Sequence, residues 1–176
     1  MAQRLSNLAE QHNLLPDTQM GNRKNRSTEA ALELLVEQIH TVWGSKKHIA
    51  LVLSLDISGA FDTVNHVQLL DNLRKKQVPL WFVRTVRSFL TDRETTIVVD
   101  GEETAPRQLP AGVPQGSPLS PVLFLFYNAP LLEALNQLNL QLSAVGFADD
   151  INLLTYSKST AENCAALELA HARCLE

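Results

Sequence analysis

The sequence predicts an α+β fold, an antiparallel sheet with helices packed on one face. Three observations predict it. Short apolar, β-rich runs (48–55, 141–147 and 151–156) sit among longer segments with helical periodicity. The two kinds of element mix without a regular βαβ repeat, which disfavours a parallel sheet. The composition, 45% hydrophobic and 19% charged over 176 residues, belongs to a chain with a real core and not to a disordered tail. One domain is the default at this length, and roughly two thirds of the unfolded surface can be buried.

The elements follow in order. Residues 2–13 read as a short helix, stopped by Pro16. Residues 17–26, DTQMGNRKNR, are a polar, basic loop. Ser27 or Thr28 can cap the next helix, and Glu29 in its first turn favours the dipole. That helix runs to about Trp43, with Ala31, Leu35, Ile39 and Val42 near one face. HIALVLSL, 48–55, is short enough to be a buried strand, and Asp56 stands at its exit. Residues 66–77 and 79–91 are two helices broken at Pro79. Residues 94–100 form a strand, Gly101-Glu102 a turn, and 104–109 a returning strand. LPAGVPQGSP is a loop rich in Gly and Pro. Ser117 caps a helix with Pro118 at its first position; it runs to about Leu138, and Pro130 should kink or split it. Residues 141–147 and 151–156 flank Asp149-Asp150, predicting a tight hairpin with both aspartates at its tip. The last helix, 159–174, is capped by Ser159 or Thr160.

Formal net charge is −4, which argues against a strong basic nucleic-acid footprint unless bound cations offset the carboxylates. Cys164 and Cys174 lie in no CxxC or Cys/His cluster, so zinc is not expected and two reduced thiols on a helix are. The five histidines show no metal spacing. No run approaches ~18 apolar residues, so no membrane span is expected. The N-terminus lacks an apolar signal core.

The chemistry lies in carboxylates. An aspartate at a strand exit, or a pair in a turn, has ordinary structural uses. Asp56, Asp149 and Asp150 together concentrate negative charge, and divalent cations with oxygen ligands are the natural remedy. Three carboxylates can hold two magnesium ions ~4 Å apart, clamping the attacking and leaving oxygens of a phosphoryl transfer. The pattern points to metal-assisted nucleotidyl transfer.

Four motifs make this specific. FADD at 147–150 resembles the aromatic-x-Asp-Asp box of reverse transcriptases; LDISGAFDTVNH at 55–66 resembles their first palm motif; AGVPQGSPLSP at 111–121 is similar to the loop-helix motif between them; QMGNRKNRST at 19–28 resembles the fingers-side segment of non-LTR (LINE-type) elements. All four occur in the family's order, and Ala148 before the aspartates fits non-LTR and group II intron enzymes better than retroviral ones.

The resemblance implies a polymerase palm-like antiparallel sheet with packed helices, partial fingers and no thumb: about 1–47 as a fingers-side segment and about 48–176 as palm with inserted fingers helices. It implies an RNA-directed DNA polymerase with two Mg2+ ions (or Mn2+), an RNA template, a DNA primer and dNTP as partners, and a nuclear location if the chain is part of an active retrotransposon. Asp56 and Asp149 would bind both metals, Asp150 would assist, and the carbonyl of Ile57 would complete a metal shell. Phe61 would be the gate against a ribose 2′-OH, and the amides of Gly59 and Ala60 would approach the triphosphate. Gln115 would contact the nucleotide, and Gly116 would let the chain pass under the template base. Arg23, Lys24 and Arg26 would meet template phosphates. Asp62 matches the pattern without needing to touch metal, and His66 suits a helix start or packing.

The chain departs from the family at both ends. The fingers box carrying a triphosphate-binding basic residue, the later palm lysine motif, the primer grip and the thumb have no counterpart in it, nor has an endonuclease domain. The expectation is therefore a truncated piece with little processive synthesis. The alternatives are a non-catalytic remnant, a group II intron maturase, or a metal nuclease; the PQGSP loop and Phe61 argue against the nuclease, which needs neither.

Overall fold

A computed structural model describes residues 1–44, 48–138 and 141–175. The expected segment boundary near residue 47 falls outside these residues. Two helices open the chain, α1 (Ala2–Gln11) and α2 (Thr28–Gly44). Strand β1 (Ile49–Asp56) follows, then α3 (His66–Lys75) and α4 (Leu80–Leu90). Four two-residue strands come next: β2 (Glu94–Thr95), β3 (Val98–Val99), β4 (Glu102–Glu103) and β5 (Arg107–Gln108). The chain then enters α5 (Leu119–Asn136), the hairpin β6 (Leu142–Phe147) and β7 (Asp150–Ser157), and α6 (Thr160–Cys174).

The main sheet has the order β1-β7-β6, all antiparallel. Its two faces separate by parity. Leu53, Leu55, Ala144, Ile151 and Leu153 point to one side and pack with Leu132, Leu135 and Ala170 of α5 and α6. A larger core joins α1, α3, α4 and the first half of α5 through Leu5, Leu69, Phe82, Val86, Leu123, Phe124 and Phe126. Helix α5 is therefore apolar all round, as a central helix should be. The opposite face of the sheet is partly covered by α2, whose Thr28, Ala31, Leu32 and Leu35 border a small cavity with Val145, Phe147, Asp150 and Asn152.

Several local expectations need correction. The strands of 94–109 break into two-residue pieces, because Ile97, Val98 and Val99 are about 60% exposed and bury too little to sustain a ladder. The turn there is Asp100-Gly101, one residue earlier than expected, since Val99 pairs with Glu102 and both turn residues have positive φ (52° and 86°). Pro130 lies inside α5 without ending it. Pro118 itself is the N-cap of α5, and Ser117 Oγ accepts from Leu119 N at 3.3 Å. Ser159 is the N-cap of α6 without a side-chain cap bond; its own N–H donates to Ser157 Oγ at 3.1 Å. The expected cap of α2 is present, with Ser27 Oγ accepting from Ala30 N at 3.2 Å. Both cysteines are free thiols, and burial raises the pKa of Cys174.

Candidate active site

Strand β1 ends at Asp56, and the antiparallel register sets it opposite Asp150, the first residue of β7. Register partners share a face, so both carboxylates project from the face away from α5 and α6. Phe147, the last residue of β6, also pairs with Asp150 and shares that face. The tip of the hairpin is Ala148-Asp149 and not the aspartate pair, because Asp150 already belongs to the ladder. Asp56 and Asp150 are exposed and Asp149 is half-buried. None of the three side chains makes a hydrogen bond or ion pair with another described residue. Acidic groups grouped at one sheet end without a basic partner are suited in kind to a hard divalent cation. Among the described residues, however, no three His, Cys, Asp or Glu side chains stand together as a ready metal-binding group.

The first motif wraps the end of β1. Ile57 is half-buried between the two core clusters. Gly59 has φ +62°, and its carbonyl accepts from Asp62 N (2.9 Å) and Thr63 N (3.0 Å), closing a tight turn. Ala60 is 5% exposed. The ring of Phe61 is half-buried, 5.4 Å from that of Phe124 on α5.

The Gly/Pro loop is knitted onto this turn. Val113 N donates to Phe61 O at 2.7 Å and Gly112 N to Val64 O at 2.9 Å. Gly112 is needed twice over: its φ is +85°, and a Cβ would lie 2.8 Å from Asp62 O. Its carbonyl receives both Arg93 Nη1 and the His66 ring at 2.7 Å, which gives His66 the packing role expected of it. Gln115 is exposed and donates through Nε2 to Asp62 Oδ1 at 3.0 Å. Gly116, at φ +85°, has open space around it. The first motif and the loop are thus one unit, with Phe61, Asp62 and Gln115 on adjoining backbone.

The basic cluster is divided. Arg23 is not available to a polyanion, which corrects the expectation that it meets template phosphates. Its side chain is 3% exposed and donates to both carboxylate oxygens of Glu10 at 2.8 Å, to Pro16 O at 2.7 Å and to Gln19 O at 3.3 Å. That guanidinium holds the pKa of Glu10 below the ordinary carboxylate value. Arg26 pairs with the exposed Asp17. Lys24 stays exposed.

Sequence reasoning missed the residues that brace the hairpin. Gln19 forms a parallel bridge to Gly146, is 1% exposed, and donates through Nε2 to Leu125 O at 3.1 Å. Gly21 lies against the turn itself, and Asn136 Nδ2 donates to Thr18 Oγ1 at 3.1 Å. The signal was in the QMGNRKNRST segment, which drew notice for its bases while its buried glutamine and glycine carry the contacts. A cavity of about 640 Å³ opens between α2 and the far end of the sheet, lined by residues such as Glu37, Thr41, Ser143 and Tyr156; it shares no residue with the carboxylates.

Residues 1–175 match the family model described as reverse transcriptase (RNA-dependent DNA polymerase). A probable RNA-directed DNA polymerase from transposon BS of Drosophila melanogaster is 32% identical over 96% of the chain, and the chain spans 19% of that relative. A Pol polyprotein from the type-1 retrotransposable element R2 of Popillia japonica is 36% identical over 69% of the chain and is spanned to 22%. The RNA-directed DNA polymerase from mobile element jockey of Drosophila melanogaster is 32% identical over 82%, spanned to 16%. The chain therefore covers about a fifth of the length of these relatives. Among solved structures, a Candida tropicalis apo telomerase superposes with a TM-score of 0.67 over 96% of this chain and 35% of its own, at 12% identity. A Candida albicans telomerase gives 0.65 over 96% and 31%, at 14% identity. At such identities these two speak for the fold alone.

Proposed function

Because the chain belongs to the reverse transcriptase (RNA-dependent DNA polymerase) family, with non-LTR retrotransposon enzymes among its relatives, we propose that it is the fingers-side and palm portion of a polymerase that extends a DNA primer on an RNA template. One observation carries the reading: Asp56 faces Asp150 in register at the end of the sheet, with Asp149 in the adjoining turn, and none of these carboxylates has a described basic partner.

The family resemblance supplies the roles. Asp56 and Asp149, assisted by Asp150 and the carbonyl of Ile57, would be the oxygen donors for two magnesium ions, the three carboxylates drawing together around them. When bound, such ions lower the pKa of the primer hydroxyl and neutralise charge on the departing pyrophosphate. The backbone amides of Gly59 and Ala60 would approach the triphosphate, since those of Asp62 and Thr63 are spent on Gly59 O in closing the turn. Phe61, braced on Phe124, is held rigidly enough to exclude a 2′-hydroxyl, since a half-buried aromatic ring cannot swing away at low cost. Gln115 and Gly116 sit on the loop bonded to that turn, within one unit that can bind the nucleotide. Lys24, with Arg26 as a minor contributor, meets template phosphates. The protein supplies positioning and electrostatics, and base pairing supplies the sequence.

The test is incorporation of a single dNTP by the full-length protein containing this chain, on an RNA template with a DNA primer and Mg2+. Template-directed addition that Asp56→Asn abolishes is the expected result. Absence of incorporation by the folded, unaltered protein at any divalent ion concentration refutes the reading and leaves a non-catalytic role.

A further inference from the structure

We propose that residues 18–23 form a strut that sets the position of the Ala148-Asp149 turn, which makes Gly21 a positioning residue for the carboxylates; the functional part of this inference rests on the polymerase reading above.

The turn is poorly specified by its own sequence. Ala148 has φ +54°, a region that alanine enters reluctantly, and no glycine stands in the turn. Strand β6 is also an edge of the three-stranded sheet, with its outward backbone groups in need of partners. Both needs are met by one segment. Met20 N donates to Gly146 O at 2.7 Å, and Gly146 N donates to Thr18 O at 2.9 Å. Next after Met20, Gly21 passes under the turn so closely that a Cβ would sit 2.4 Å from Ala148 N and 3.1 Å from Phe147 C. Both contacts are backbone, so no flexible side chain can give way. The φ of Gly21 lies outside the left-handed region, and glycine is required there for closeness alone.

The strut is itself fixed from two directions. Gln19 reaches α5 through Leu125 O, and Thr18 is tied to α5 by Asn136. Arg23 clamps the segment to α1 through Glu10 while bonding the carbonyl of Gln19 within it and that of Pro16 just before it. A turn poorly specified by its own residues thus lies against a segment fixed from two sides, and Asp149 inherits that position. Groups that orient metal-ligating side chains from behind commonly change metal affinity or activity by about ten- to a hundredfold when altered.

The experiment uses the full-length protein containing this chain. Gly21→Ala is expected to raise the Mg2+ concentration for half-maximal dNTP incorporation about tenfold. It should also speed amide hydrogen exchange at residues 146–150 about tenfold relative to the rest of the sheet. Gly44→Ala, the same chemical change where a Cβ meets nothing within 4 Å, should leave both readouts unchanged. Ala148→Gly added to Gly21→Ala should recover part of the loss, because a glycine turn tolerates displacement. Gln19→Ala loosens the strut without adding atoms; it should shift both readouts in the same direction by about threefold, and it decides the matter if Gly21→Ala does not fold. Unchanged exchange at 146–150 and an unchanged Mg2+ curve in these variants overturn the strut. If the unaltered protein incorporates no nucleotide, the polymerase reading fails separately, and the exchange measurement still decides whether the strut exists.

Discussion

Two hairpins of this molecule end in an aspartate-bearing two-residue turn, and they differ in what holds them. The outer one turns at Asp100-Gly101, both residues in the left-handed region, which is the favoured chemistry for such a turn. Yet its ladder holds only the pairs Val98↔Glu103 and Val99↔Glu102 before it is interrupted, and Ile97, Val98 and Val99 lie open to solvent. The inner hairpin turns at Ala148-Asp149, with an alanine at φ +54°. Its ladder runs unbroken from Phe147↔Asp150 to Leu142↔Thr155, with β1 on its other side. Good turn chemistry makes a turn, but burial sustains a sheet. The hairpin with the worse turn is the one that carries the candidate site, and it has tertiary packing beneath it and the 18–21 segment bonded beside it.

The largest expected effect separates the two tips by chemistry. Asp149→Asn keeps size and tolerance of turn geometry while removing a charge. It should lower single-nucleotide incorporation by the parent protein about a thousandfold or more, since the loss falls on charge stabilisation in the transition state. Asp100→Asn, the same change at the outer tip, should leave the rate within about twofold, since a surface change of this kind is worth less than about 0.5 kcal/mol. Comparable losses from the two variants would mean that the inner tip holds no special place in the reaction.

The next effect separates them by stability. Leu153→Ala empties space between the inner hairpin, α5 and α6, where Leu153 is fully buried. A loss of about 2–5 kcal/mol in denaturant unfolding is expected. Val98→Ala on the outer hairpin, where Val98 is 64% exposed, should change stability by less than about 0.5 kcal/mol. If the two cost the same, the outer hairpin packs on something in solution and the contrast is weaker than drawn.

The same contrast explains what could be read from the sequence. The helices and the strands of the main sheet were legible because their apolar periodicity reports burial directly. Their ends moved by a residue or two, as at Asp150, where the ladder begins one residue before the apolar run. The outer strands were overcalled because Thr95–Val99 has strand-forming side chains, and propensity does not reveal that no partner layer covers them. In the site, the carboxylates and the Gly/Pro loop were legible as motifs, since their chemistry lies in side chains and turn residues. The bracing was not. Arg23 looked like a phosphate contact because its charge shows in the sequence while its partner Glu10, thirteen residues back, does not declare itself. Gly21 looked like loop punctuation because a close backbone approach leaves no periodic trace.

The smallest expected effect concerns that ion pair, and its sign is fixed by chemistry. The Arg23 guanidinium holds the carboxyl of Glu10 below its ordinary pKa of 4.5. A group whose folded pKa is depressed stabilises the fold fully above its unfolded value, and the contribution fades as pH falls through the lower, folded value. Glu10→Gln lacks this contribution at every pH. The gap in melting temperature between the two proteins should therefore be open at neutral pH and close in acid. The effect at neutral pH should be on the order of 1 kcal/mol, because Glu10 keeps 30% of its side chain in solvent while Arg23 is nearly enclosed. Glu10 anchors the strut, so amide protection at the inner turn, compared with Glu10→Gln at the same pH so that the intrinsic slowing of exchange in acid cancels, should be higher in the unaltered protein at neutral pH and equal in acid. A gap that stays constant with pH would show that Glu10 acts by packing alone and that the clamp on Arg23 is not electrostatic.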